Sequence, residues 1–110
     1  MKKNLEYNYT IKQEKSFKQD LKNIYKYIAH DLNEVKIAIK FVDTVISKLK
    51  TLQTFPFAFE LYKKEENIEY RKFIVKKYII IYKINLKEKE IKVLHIYSQK
   101  FNYNKKPILL

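Results

Sequence analysis

Apolar residues recur at helical spacing through most of the first half of the chain. The first stripe comprises Phe17, Leu21, Ile24 and Ile28. Ser16 precedes this stripe and Gln19 stands three residues later, which predicts a capping box at the start of a helix. The second stripe steps by three and four residues and comprises Val35, Ala38, Val42, Val45, Leu49 and Leu52. With Asn33 as its N-cap, the pattern predicts an antiparallel helical hairpin over about residues 16–53.

Alternating apolar and polar residues predict β-strands on both sides of this hairpin. The N-terminal alternation comprises Leu5, Tyr7, Tyr9 and Ile11. Pro56 ends the helical region because the residue before a proline avoids the α conformation, and residues 57–68 show no regular pattern. Three strands follow within about residues 69–98, and residues 78–84 are apolar on both faces, as a central strand would be. The order β-α-α-β-β-β predicts an α+β domain in which an antiparallel-rich sheet packs against the hairpin.

The length and composition fit one small domain spanning residues 1–110, with a basic tail over residues 99–110. We find no apolar run long enough to span a membrane. No apolar segment of a secretion signal follows the N-terminal lysines, so a cytoplasmic location is expected. The chain has no cysteine and no glycine. Disulfides, thiolate chemistry and glycine-rich phosphate loops are therefore excluded.

The net charge is +12, and most of the excess lies in the C-terminal part of the chain. Residues 71–110 carry a net charge of +9, whereas residues 1–70 carry +3. Such an asymmetry favours a polyanionic partner: nucleic acid, the ribosome or an acidic protein segment. The alternative is a general bias of composition toward lysine, because 23 of the 24 basic residues are Lys.

Few residues are candidates for chemistry. The two histidines, His30 and His95, are far apart and have no acidic cluster beside them, so neither a metal site nor a cofactor is expected. Arg71 is the only arginine, and its planar guanidinium can bind phosphate or carboxylate through two parallel hydrogen bonds. The alternative is a structural ion pair across the sheet, with Glu60 or Glu69 as the partner.

Aromatic and basic residues alternate near the C-terminus, at Tyr97, Lys100, Phe101 and Tyr103. This arrangement suits base stacking combined with neutralisation of phosphate charge. The alternative is that the aromatic rings pack against the sheet.

The element order and four motifs resemble the RelE/ParE superfamily of bacterial type II toxin–antitoxin toxins. The motifs are LQTFP at residues 52–56, Tyr70-Arg71, YIIIYKI at residues 78–84 and VLHIYSQK at residues 93–100. The resemblance covers roughly residues 5–107. It implies a cytoplasmic toxin that inhibits growth until a cognate antitoxin binds it. The antitoxin segment of such pairs is commonly acidic and folds on binding, which suits a basic toxin.

The resemblance leaves two targets open. RelE-like members cut mRNA on the ribosome, whereas ParE-like members bind DNA gyrase and are not nucleases. The ribonuclease branch commonly has arginines at the positions of Ile79 and Phe101, and neither of these residues can stabilise charge that develops on a phosphate. Lys72, Lys77 and Lys100 compensate only in part. The sequence therefore favours a ParE-like toxin without catalytic residues.

The residues expected to contact the target are Arg71, Lys72, Lys77, Tyr97, Lys100 and Tyr103. If the chain is instead a ribosome-dependent endoribonuclease, the expected catalytic residues are Arg71, Lys77, Lys100 and Tyr103. A third interpretation, from a different class, is a non-toxic basic domain that binds nucleic acid and shows strongly salt-dependent affinity.

Overall fold

The computed structural model describes residues 9–99. These residues form β1 (Thr10–Gln13), α1 (Lys15–Lys26), α2 (Val35–Thr54), β2 (Glu60–Glu65), β3 (Ile68–Val75), β4 (Tyr78–Asn85) and β5 (Glu90–Ser98). A π-helical turn over Tyr27–Asp31 follows α1 directly. The predictions that concern Leu5, Tyr7, Lys100, Phe101 and Tyr103 fall outside the described residues.

The five strands form one sheet in the order β1-β5-β4-β3-β2. β1 runs parallel to β5, and the other neighbouring pairs are antiparallel. The α+β class and the antiparallel-rich sheet beside a helical hairpin are confirmed. The element order has one more strand than predicted, because β2 lies within residues 57–68. β2 is an edge strand that bulges near Tyr62, so its polar residues show no simple alternation.

α1 begins without the predicted capping box. Glu14 is its N-cap and makes no side-chain capping bond. Ser16 instead donates a hydrogen bond from Oγ to the carbonyl of Leu94 at 2.6 Å, and the Gln19 amide donates to Asn23 at 2.9 Å. The prediction for Ser16 was therefore wrong, because its hydroxyl binds the sheet edge and not its own helix.

Asn33 reverses the chain between the helices but does not cap α2. Its φ is 55°, in the left-handed region, and Glu34 occupies the N-cap position. Asparagine tolerates this conformation better than most residues, so the reversal depends on Asn33 in a different way from the one predicted. The hairpin itself is confirmed, and neither of its helices is long and apolar enough to cross a membrane.

The hairpin covers one face of the sheet and forms the main core with it. The buried helix residues include Phe17, Leu21, Ala38, Phe41, Val45, Leu49 and Leu52. The buried strand residues include Phe73, Val75, Ile80, Tyr82, Ile84, Ile91, Val93 and Ile96. Most of the predicted second stripe is in this core, but Val35 is 49% exposed. Phe41, which lies on α2 outside that stripe, is buried and packs against Tyr78, with ring centroids 4.9 Å apart.

The turns between the strands place residues other than glycine in the left-handed region. Glu66, Lys76 and Lys89 have φ values of 52°, 59° and 51°. This conformation costs roughly 1–2 kcal/mol for a residue with a Cβ. The absence of glycine from the chain therefore makes these turns less stable than they could be.

We expect Lys76→Gly to raise the free energy of unfolding by about 0.5–1 kcal/mol. Glycine removes the strain of the left-handed conformation in the native state. It also increases the conformational entropy of the unfolded chain, which offsets part of this stabilisation. Lys77→Gly is the matched control, because the same turn does not require a positive φ at Lys77. Urea unfolding of both variants checks the prediction, and a gain in stability for Lys77→Gly alone would contradict it.

Candidate functional site

Arg71 lies on the side of β3 that faces the hairpin and binds groups of its own chain. Its Nε and Nη2 donate to Glu69 Oε1 at 2.9 and 2.7 Å. Its Nη1 donates to the backbone carbonyls of Phe57, at 3.2 Å, and Phe59. The side chains of Arg71 and Glu69 are only 12% and 10% exposed. The structure thus gives Arg71 an ion pair with Glu69, while Glu60 lies 4.0 Å from Lys72.

Tyr82 binds the same segment of the chain, between α2 and β2, that Arg71 binds. It lies opposite Arg71 in the β3–β4 register, and its buried hydroxyl donates to the Pro56 carbonyl at 2.9 Å. Burial raises the pKa of this hydroxyl well above its ordinary value. The nearby Arg71 partly opposes that rise, and Glu69 adds to it. Arg71, Glu69 and Tyr82, here called the corner cluster, therefore hold the segment that leads from α2 into β2.

The second face of the sheet, opposite the hairpin, has its own small apolar cluster. Ile79, Ile81 and Tyr97 are buried there, with Tyr62 and Leu94 packed against them. Burial raises the pKa of the Tyr97 hydroxyl, and the nearby negative charge of Asp20 raises it further. The second face is therefore a structured surface and not a row of solvated side chains.

Two of the predicted contact residues share this second face. Lys72 lies on β3 with its Nζ 5.5 Å from the centre of the Tyr62 ring, and Tyr97 lies on β5. Lys77 lies at the end of the sheet, in the turn between β3 and β4, where its carbonyl accepts a hydrogen bond from the Gln99 amide at 2.8 Å. Arg71 lies on the opposite face, so the structure does not bring it together with Lys72 and Tyr97.

An aspartate on α1 binds the free edge of β5. Asp20 Oδ2 lies 2.9 Å from His95 Nδ1 and accepts a hydrogen bond from the Ile96 amide at 3.1 Å. The His95 ring stacks on Tyr97 with centroids 4.9 Å apart. A carboxylate that fixes an imidazole in this way also suits proton transfer. Sequence reasoning missed this pair because Asp20 and His95 are 75 residues apart.

The histidines among residues 9–99 lie apart from one another. No group of three or more histidine, aspartate or glutamate side chains comes together there in a way that could hold a metal ion. His30 and His95 lie in different parts of the fold, the first in the π-helical turn and the second on β5.

A two-helix hairpin on a mixed five-stranded sheet is also the fold of several solved structures. The structure is similar to the archaeal RelE–RelB complex from Pyrococcus horikoshii OT3 (TM-score 0.65, 18% identity, covering 84% of this chain and 96% of that chain). It is also similar to the chromosomal ParDE toxin–antitoxin system of P. aeruginosa (TM-score 0.64, 20% identity, 84% and 97% covered). A third relative is the RelBE2 toxin–antitoxin complex of Mycobacterium tuberculosis (TM-score 0.51, 14% identity, 83% and 98% covered).

The sequence itself identifies the family. Residues 11–103 match the family described as the ParE toxin of the type II toxin–antitoxin system parDE. No curated protein sequence matches the chain. The chain belongs to the ParE toxin family, and the predicted membership of the RelE/ParE superfamily is confirmed.

Proposed function

We propose that this toxin inhibits growth in the cytoplasm by binding DNA gyrase, and that a cognate antitoxin neutralises it. The family to which the chain belongs supports the toxin role, and the related structures are toxin–antitoxin complexes or systems. The net charge of +12 favours an antitoxin segment that is acidic and folds on binding.

The observation that carries the choice of target is the position of Ile79. This residue stands where the resemblance to the ribonuclease branch calls for an arginine, and it is 6% exposed on the second face, packed with Ile81 and Tyr97. Arg71 turns to the other face and binds Glu69 and backbone carbonyls. Within residues 9–99 the second face therefore offers lysines but no guanidinium to stabilise charge on a scissile phosphate. A surface that binds a protein target has no such requirement.

A ribosome-dependent endoribonuclease is the second candidate, and one observation favours it. His95, oriented by Asp20, lies on the same face as Lys72 and Tyr97. An imidazole fixed by a carboxylate beside a lysine could transfer a proton during cleavage of a phosphodiester. On this interpretation His95 acts in catalysis, whereas on the gyrase interpretation the pair with Asp20 only joins α1 to β5.

The test is induced expression without an antitoxin, with growth, the DNA-damage response and mRNA integrity followed in one culture. Arrest with DNA damage and intact mRNA supports gyrase as the target. Arrest with cleaved mRNA supports the ribonuclease, and His95→Ala should then abolish cleavage while leaving the protein folded. Purified protein added to a gyrase supercoiling assay gives an independent reading, because a ribonuclease has no effect in that assay.

We expect the double variant Lys72→Glu with Lys77→Glu to reduce toxicity by at least about tenfold in the inducer needed for arrest. Charge reversal at these two predicted contact residues replaces attraction to the target with repulsion, and like charges across an interface cost several kcal/mol. The matched control reverses Lys36 and Lys50, which are exposed on α2, and should remain toxic. Equal loss in both double variants would show that only net charge matters.

A further inference from the structure

Lysines line up across the second face of the sheet. Lys12 on β1 lies opposite Lys92 on β5, and Lys92 lies opposite Lys83 on β4. The same register continues through Tyr70 on β3 to Lys63 on β2. The apolar neighbours of Lys12, Lys83 and Lys92 along their strands pack in or against the core under the hairpin; they are Ile11, Tyr82, Ile84, Ile91 and Val93. Four lysines, here called the lysine row, therefore cross the sheet on the face that the hairpin leaves uncovered.

The lysine row is costly for the fold. Neighbouring strands are about 4.8 Å apart, and like charges placed directly opposite each other destabilise a sheet. Glu90 lies 4.0 Å from Lys92 and Glu65 lies 3.4 Å from Lys63, so these two lysines have partial compensation. Among the described residues, Lys12 and Lys83 have no carboxylate within ion-pair distance. Two of these three adjacent lysines therefore bring repulsion without a structural benefit, which indicates an anionic ligand.

The surroundings of the row favour phosphate over an acidic polypeptide. Tyr70, which lies between Lys83 and Lys63 in this register, is only 4% exposed. A ligand on the lysine row therefore meets little besides cations. The registered row on one side of it consists of Thr10, Glu90, Asn85 and other residues with little exposed apolar surface. On the other side lies the apolar cluster of Ile79, Ile81 and Tyr97, whose side chains are themselves buried. An acidic segment that orders on binding needs apolar contacts to offset its lost entropy. A nucleic-acid backbone, by contrast, is attracted by regularly spaced cations without any apolar contact.

We propose that the lysine row binds the phosphate backbone of a single-stranded nucleic acid, without reading its sequence. The strand crosses β1, β5 and β4 and continues toward Lys63 on β2. This binding is separate from the contacts of Lys72 and Lys77 with a target, and it does not depend on which target the toxin has. Its role is to concentrate the toxin on nucleic acid near the machinery that it inhibits.

The test is fluorescence anisotropy of the full chain with a labelled single-stranded DNA of about 16 nucleotides, over a series of salt concentrations. We expect Lys12→Gln with Lys83→Gln to weaken binding at least about fivefold at low salt. The slope of log K against log salt should fall by about 1.4, since each lost phosphate contact removes about 0.7 for a single strand. The melting temperature of this variant should not fall, because the substitutions relieve repulsion.

The matched control is Lys36→Gln with Lys50→Gln, which removes the same charge from α2 and should change the slope by much less. An equal change in both variants would overturn the proposal in favour of binding by net charge alone. Poly-glutamate is the second probe. If it binds the wild-type chain as tightly as the DNA does, and loses affinity with Lys12 and Lys83, the row is a site for acidic protein and the proposal fails. Growth arrest is measured separately, so failure here is distinguishable from failure of the proposed target.

Discussion

Arg71→Ala is expected to lower the free energy of unfolding by about 2–4 kcal/mol and the melting temperature by about 10 °C or more. The substitution removes donors from the carbonyls of Phe57 and Phe59 and leaves the Glu69 carboxylate nearly buried without its closest cation. Breaking a buried pair by removing one partner costs about 3–5 kcal/mol. We expect somewhat less here because Lys64 also lies 3.8 Å from Glu69.

A double-mutant cycle separates the ion pair from the hydrogen bonds to the carbonyls. Arg71→Ala with Glu69→Gln should be less destabilised than the sum of the two single variants, because neither then leaves a buried charge unpaired. Urea unfolding of the four proteins gives the coupling energy. A strictly additive result would mean that Arg71 stabilises the corner through the carbonyls alone.

The single variant Arg71→Ala also decides between the two interpretations of Arg71 that the sequence leaves open. A structural Arg71 predicts that toxicity falls only as far as the folded fraction falls, so that toxicity at low temperature stays near the wild-type level. If Arg71→Ala keeps the wild-type melting temperature but abolishes toxicity, Arg71 contacts the target. The described geometry favours the structural role, because four hydrogen bonds already engage the guanidinium within the chain.

Local sequence patterns predict the fold well wherever a pattern reports burial on one face. The second stripe and Pro56 gave the bounds of α2 to within a few residues, and the apolar run at residues 78–84 predicted the central strand. β2 was not predicted because its apolar and polar residues do not alternate regularly. It is an exposed edge strand with a bulge, and its sequence therefore resembles that of a loop. The predicted capping box at Ser16 was wrong because a serine at the start of a helix can bind a distant carbonyl as readily as its own helix.

The candidate site could be predicted only in part, since most of it depends on register. The sequence singled out Lys72 and Tyr97, and the sheet places both on the second face. Arg71 points to the opposite face because side chains alternate along β3. The sequence does not show which of the two faces the hairpin covers. The pairing of Lys12 with Lys92 in the lysine row and the Asp20–His95 pair join residues about 75 or more positions apart, and no local pattern carries that information.

We also expect the stability of the fold to decrease steeply above pH 10. Burial is the main cause that raises the native pKa of five tyrosine hydroxyls from 10.0, namely those of Tyr9, Tyr70, Tyr78, Tyr82 and Tyr97. In the unfolded chain these hydroxyls ionise near pH 10, while in the native state they keep their protons to higher pH. The native state then binds more protons than the unfolded state, so the free energy of unfolding falls as the pH rises. Each fully protected hydroxyl contributes a slope of about 1.4 kcal/mol per pH unit.

Tyr82→Phe isolates the largest single contribution. Below pH 10 this variant should be less stable than wild type by about 1 kcal/mol, because the Pro56 carbonyl loses its hydrogen bond. Above pH 10 the deficit should shrink by about 1.4 kcal/mol per pH unit, and the two curves should cross, because phenylalanine has no proton to lose. Ser16→Ala is the matched control: it also removes one hydrogen bond to a backbone carbonyl but no group that ionises in this range, so its deficit should stay constant with pH. Urea unfolding between pH 8 and about pH 11.5 checks both variants. Parallel curves for Tyr82→Phe and wild type would mean that water reaches the Tyr82 hydroxyl, and the corner cluster would then be looser than its hydrogen bonds indicate.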